Sequence, residues 1–136
     1  MVDILNKDLP YDVTCVFTVQ EEIGTRGAKV AAYTVKPDYA IVLETTTACD
    51  FSGNDGEKRV CELGKGCVVS YMDRSTIYDR ELYRLGFEKA KEINVPCQTK
   101  TLVAGGNDSG AIHSSVGGIR TVALSVPCRY LHSRRV

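Results

Sequence analysis

A chain of 136 residues with 17 Lys and Arg against 17 Asp and Glu has no formal net charge, so it lacks the basic excess that draws nucleic acid or an anionic membrane surface. At 43% hydrophobic and 25% charged, it has the composition of one ordinary globular domain with a modest core. No apolar run reaches the ~20 residues of a membrane span, and the N-terminus carries Asp3 and Asp8 instead of an apolar signal core, so the expected compartment is the cytoplasm. The six cysteines, at 15, 49, 61, 67, 97 and 128, form no Cys-x-x-Cys pair and are read as reduced thiols that pack as small hydrophobes.

Asp12 to Val19 is a β-branched run that predicts a buried strand, broken by Gln20 to Gly24. Ala-rich Gly27 to Val35 predicts a helix ended by Pro37-Asp38, and Tyr39 to Glu44 a second buried strand. Thr45 to Gly66 is a polar loop with a hairpin signal at Asn54-Asp55-Gly56. Cys67 to Tyr71 predicts a short strand. Ile77 to Asn94 predicts a helix, with Ile77, Leu82, Leu85, Ala90 and Ile93 near one face and Pro96 beyond its end. Gln98 to Ala104 predicts a third long strand. After Gly105 to Asp108, a helix is expected over Ser109 to Val116, ended by Gly117-Gly118, and a last strand over Thr121 to Val126.

Alternating strands and helices predict an α/β layered sheet buried on both faces. In such sheets ligands sit beyond the carboxyl ends of the strands. That places Glu21 and Glu22 after the first strand, Glu44 at the end of the second, Asp108 and His113 after the third, and His132 after the last, all at one edge. Carboxylates and imidazoles together suit zinc, cobalt or manganese. A hydrolytic metal site needs ligands, an open position for water and a base. Adjacent glutamates can divide that work, Glu22 binding metal while Glu21 takes the proton. Neighbouring side chains on a strand point to opposite faces, so the backbone must turn here, and Gly24 and Gly27 make that turn available. Taken singly, each residue has a plainer reading: a solvated Glu-Glu pair, a surface Glu44, a packed helix histidine at 113, an idle His132.

Phe17-Thr18-Val19-Gln20-Glu21-Glu22-Ile23-Gly24-Thr25-Arg26-Gly27-Ala28 resembles the catalytic glutamate motif of the glutamyl aminopeptidase family of co-catalytic metallopeptidases. That family also holds tetrahedral, dodecameric aminopeptidases and proteins labelled cellulase or endoglucanase M. The likeness continues in order through Ala40 to Glu44 and the Thr-rich loop to Asp50, Gly64-Lys65-Gly66, Met72 to Ser75, Gly105 to His113, and Val122 to Ser133. The resemblance implies a three-layer αβα sandwich of the zinc-peptidase kind with a mixed, mostly parallel sheet. Residues 1–136 would form the C-terminal part of its catalytic domain, cut at both ends. It implies Glu21 as general base, with Glu22, Glu44 and His132 as metal ligands; many relatives carry Asp at the position of Glu44. Asp108 and His113 would line the substrate pocket. Two divalent ions, zinc or cobalt, would serve the hydrolysis of N-terminal peptide bonds, and complete members would be homo-oligomers.

The pattern departs from the family in three places. The family's His-x-Asp segment and metal-bridging Asp lie upstream of the glutamate pair, whereas the 20 residues before Glu21 contain no histidine. The family's inserted β-rich dimerisation domain is missing too, and Arg134 stands where relatives continue with Pro. The implied chain is a fragment with little activity alone. Two other readings are a non-catalytic remnant or interaction module of the same fold, and an endoglucanase-like glycoside hydrolase. The last needs two carboxylates facing across a sugar at ~5–10 Å, and it is disfavoured by His132 and by the absence of Trp.

Overall fold

Residues 2–54 and 56–134 are described by a computed structural model. Its elements in chain order are α1 (Val2–Leu5), α2 (Arg26–Val35), β1 (Tyr39–Thr47), β2 (Cys67–Val69), α3 (Arg80–Glu92), β3 (Cys97–Thr99), α4 (Ser109–His113) and β4 (Arg120–Cys128). The sheet order is β1-β4-β2-β3. β1 and β4 run parallel from Tyr39 opposite Arg120 to Thr47 opposite Cys128. β2 lies antiparallel to β4, with Val69 opposite Leu124, and parallel to β3. The expected mixed, mostly parallel α/β sheet is therefore present.

Leu124 and Ser125 are neighbours on β4 and face opposite sides of the sheet. A Cβ on Gly86 of α3 would lie 3.5 Å from Val69 Cγ2 and 3.9 Å from Leu124 Cδ2, so α3 covers the Leu124 face. The Ser125 face is covered by the approach to α4, and α2 packs on α4. The core under that side gathers Ala48, Val60, Cys61 and Val68, with Cys49 and Leu102 against it. All six cysteines are free thiols. No helix among the described residues is long and apolar enough to cross a membrane.

α3 starts at Arg80, not Ile77, because Asp79 caps it by accepting the N–H groups of Glu81 and Leu82, each at 2.9 Å. The same carboxylate receives Arg120 Nε at 2.6 Å and Nη2 at 3.0 Å. Those bonds hold the Asp79 carboxyl down at about 2 and tie the helix to the start of β4.

The expected strand over Asp12 to Val19 is not one. Among the described residues it pairs with no strand, and Val13, Val16, Phe17 and Val19 are exposed. Its β-branched residues suit a pleated ladder, but propensity is realised only against a neighbouring strand. Gln98 to Ala104 is a strand only as far as Thr99. Beyond it the chain turns to the 59–60 loop, where Thr101 N–H donates to the Val60 carbonyl at 2.9 Å. Burial on both faces fails at β1, whose Tyr39, Ile41 and Leu43 are exposed on alternate positions. α4 covers one side of this edge strand, and no described element packs on the other. The last short helix ends at His113, short of Val116. The hairpin signal at Asn54-Asp55-Gly56 falls partly on Asp55, outside the described residues; the turns beside it join no strands.

Candidate active site

The glutamate pair sits on a tight turn. Gln20 adopts a left-handed φ of 59°. The N–H groups of Gly24 and Thr25 then donate to the Glu21 carbonyl at 3.2 and 3.0 Å, and Gly27 N–H donates to Val19 at 3.0 Å. The hook folds α2 back so tightly that a Cβ on Gly27 would sit 2.6 Å from both Val19 N and Val19 O. Backbone cannot yield as a flexible side chain does. Gly27→Ala is therefore expected to destabilise the chain by about 1–3 kcal/mol, the usual range for forced overpacking. Thermal or urea unfolding checks this, and an unchanged midpoint would contradict the close approach.

Both carboxylates line a cleft of about 380 Å³ shared with Thr18, Glu44, Asp108 and His132. A larger cleft of about 990 Å³ adjoins it through Glu21, Glu22, Gly106 and Asn107 and runs between Tyr33 of α2 and Ser114 beyond α4. Partial burial raises the Glu21 carboxyl above its ordinary value; the charges of Glu22 and Asp108 push the same way, and His132 opposes them. His132 itself has a left-handed φ of 62° and brings Nδ1 to 3.3 Å from Glu22 Oε1. The segment leading to it is pinned by Arg129 Nε on Asp50 Oδ1 at 2.8 Å. The Asp50 carboxyl also accepts the Leu63 N–H, and with Arg129 foremost these bonds draw it down to about 2.

Asp108 reaches the cleft by an unexpected route. β3 runs opposite to β1 and β4, so its carboxyl end lies at the far end of the sheet, and residues 100–108 bring the chain back. Asp108 is 7% exposed. Its Oδ2 accepts Thr18 Oγ1 at 2.6 Å, while its buried Oδ1 has no hydrogen-bond partner. His113 stands apart: Nδ1 lies 2.9 Å from the Ser109 carbonyl, and the residue lines neither cleft.

Glu44 lies three residues short of the end of β1, opposite Ser125. Its Oε1 accepts Asn107 Nδ2 at 2.8 Å and Ser125 Oγ at 3.1 Å. Burial raises the Glu44 carboxyl, while Ser125, Lys100 and Asn107 work against that rise. Behind Asn107 stand Tyr78 and Asp73, to which sequence reasoning assigned no role. Asp73 and Asn107 fall inside the ordered motifs, and that was the available signal; Tyr78 had none.

The donor chemistry of Glu22, Glu44 and His132 suits a divalent ion, and Glu22 and His132 are already in contact. Among the described residues, however, no three of His, Cys, Asp or Glu come together closely enough to hold a metal. Glu22, Glu44, Asp108 and His132 line one cleft, and Asp108 Oδ1 in it has no hydrogen-bond partner.

A mixed, mostly parallel α/β sheet, with a glutamate pair on the turn before α2, a half-buried glutamate on β1 and a histidine beyond β4 lining one cleft, is an architecture shared with aminopeptidases. The chain belongs to the M42 glutamyl aminopeptidase family, whose sequence profile matches residues 1–136. A protein of Acetivibrio thermocellus named as an aminopeptidase is 44% identical over 124 residues, covering 90% of this chain and 36% of that protein. The TET aminopeptidase from a marine-sediment Thaumarchaeota archaeon superposes with a TM-score of 0.81 at 38% identity, over 85% of this chain and 32% of that one. The Pyrococcus horikoshii TET1 peptidase, which can assemble into a tetrahedron or a large octahedral shell, gives 0.71 at 38% identity, over 86% and 33%. The chain spans about a third of the length of these relatives.

Proposed function

We propose that this chain is the metal-binding segment of a divalent-metal-dependent aminopeptidase that hydrolyses N-terminal peptide bonds. Glu21 is the general base, Glu22, Glu44 and His132 are ligands for zinc or cobalt, and Asp108 faces the substrate. The observation that carries this reading is the turn at Gln20, which puts Glu21 and Glu22 in one cleft with His132 against Glu22. Membership of the family supports it.

A divalent ion, when bound, polarises the scissile carbonyl and makes water easier to deprotonate. The chain's own residues do the rest. Glu21 receives the proton of the attacking water on a carboxylate oxygen and delivers it to the departing amine. The carboxylates of Glu21, Glu22 and Asp108 give the cleft a negative lining, which suits a substrate ammonium group. The adjoining cleft has room for the substrate beyond the bond that is cut. A homo-oligomeric protein belongs to the same reading, supported by the shells that the TET1 relative forms, and so does the expected cytoplasmic location.

The test is release of p-nitroaniline from aminoacyl anilides by a chain of the relatives' length carrying these residues. Chelation is expected to abolish release, and zinc or cobalt to restore it. Release indifferent to chelation, or activity on cellulose without activity on peptides, would refute the assignment.

A further inference from the structure

We propose that Asn107 and Tyr78 are positioning residues for Glu44, held by Asp73, and that together they lock its carboxylate so that Oε2 alone is offered to a metal ion. This deepens the function proposed above and rests on Glu44 being a metal ligand.

Each hydrogen bond in the chain determines the direction of the next. Asn107 Oδ1 accepts the Ser109 N–H at 2.7 Å, so its two amide hydrogens are left to point at Glu44 Oε1, 2.8 Å away, and at Tyr78 Oη, 3.0 Å away. Tyr78 can accept only because its own proton is committed to Asp73 Oδ2 at 2.5 Å. Asp73 is saturated on the other oxygen by Ser75 N–H at 2.8 Å, Ser75 Oγ at 3.0 Å and Thr76 N–H at 2.8 Å. Flipping the Asn107 amide would turn its oxygen against the Glu44 carboxylate and the Tyr78 oxygen and strip Ser109 of its acceptor. Asp73, Tyr78 and Asn107 are only 2%, 3% and 4% exposed. Water therefore cannot replace a broken bond, and the network has one low-energy arrangement.

The consequence falls on Glu44. Ser125 Oγ and Asn107 Nδ2 both bind Oε1, and no protein donor among the described residues reaches Oε2. Glu44 lines the cleft that also holds Glu22 and His132. A carboxylate anchored in this way meets an ion with one oxygen already oriented, and groups that orient a ligand typically contribute about 10–100-fold to metal affinity.

The test uses a chain of the relatives' length carrying this segment, titrated with Co(II) and followed by visible absorption, with circular dichroism to confirm folding. Tyr78→Phe and Asn107→Leu are each expected to weaken Co(II) binding about 10–100-fold. In a Glu44→Gln background the same substitutions are expected to weaken it no further, because there is no carboxylate left to orient. A merely structural role would give the same loss in both backgrounds and would overturn the proposal, as would unchanged affinity in folded Tyr78→Phe. If Asn107→Leu does not fold, Tyr78→Phe, which removes a single oxygen, carries the comparison. Failure of the chain to bind Co(II), or binding unaffected by Glu44→Gln, would instead overturn the ligand assignment and this proposal with it.

Discussion

Glu21→Gln, in a chain of the relatives' length carrying this segment, is expected to lower kcat about 10²–10⁴-fold, the usual contribution of a positioned base, while bound metal is retained. The substitution keeps the shape and most hydrogen-bonding capacity of the side chain but removes its ability to accept a proton. The structure separates the two glutamates in a way that makes the outcome specific. His132 approaches Glu22 at 3.3 Å, whereas Glu21 meets His132 only through longer-range attraction, and its carboxyl is raised chiefly by burial. Steady-state kinetics and metal analysis on the same preparation check the result. Loss of metal on Glu21→Gln would make Glu21 a ligand; full activity would remove it from the mechanism.

The second large effect concerns the 136-residue chain by itself. It is expected to cleave aminoacyl anilides no faster than buffer does and to bind zinc or cobalt weakly. The glutamate–histidine contact and the hydrogen-bonded Glu44 share a cleft, yet no three metal-binding side chains converge among the described residues. Two donors in contact and a third held apart leave an ion with most of its water, so little binding energy is available and a co-catalytic pair has no anchor. Robust zinc- or cobalt-dependent cleavage by the purified chain would overturn this expectation.

Where the sequence reading went astray, the missing information was tertiary. Asp12 to Val19 has the composition of a strand, but a strand exists only by pairing, and nothing in the run itself says whether a partner lies beside it. Asp108 and His113 lie five positions apart, close enough to look like one site. The helix from Ser109 to His113 turns the imidazole back onto the Ser109 carbonyl, while Asp108, just ahead of that helix, points into the cleft. The rule that strand ends converge held for β1 and β4, which are parallel. It missed at β3, because β2 reverses direction against β4.

Sequence alone determined the local chemistry: a glutamate pair flanked by the glycines of a turn, a glutamate closing an apolar run, a histidine past the last strand, and the family to which these motifs belong. Those are properties of residue type and short spacing, which survive without coordinates. Only the tertiary structure decided how the groups meet. It set His132 on Glu22, turned His113 onto the Ser109 carbonyl, and placed Asp73 and Tyr78 behind Asn107, which donates to Glu44 from 63 positions away. Orientation of a buried carboxylate depends on donors delivered by other elements, and no local pattern in the chain encodes which of them will arrive.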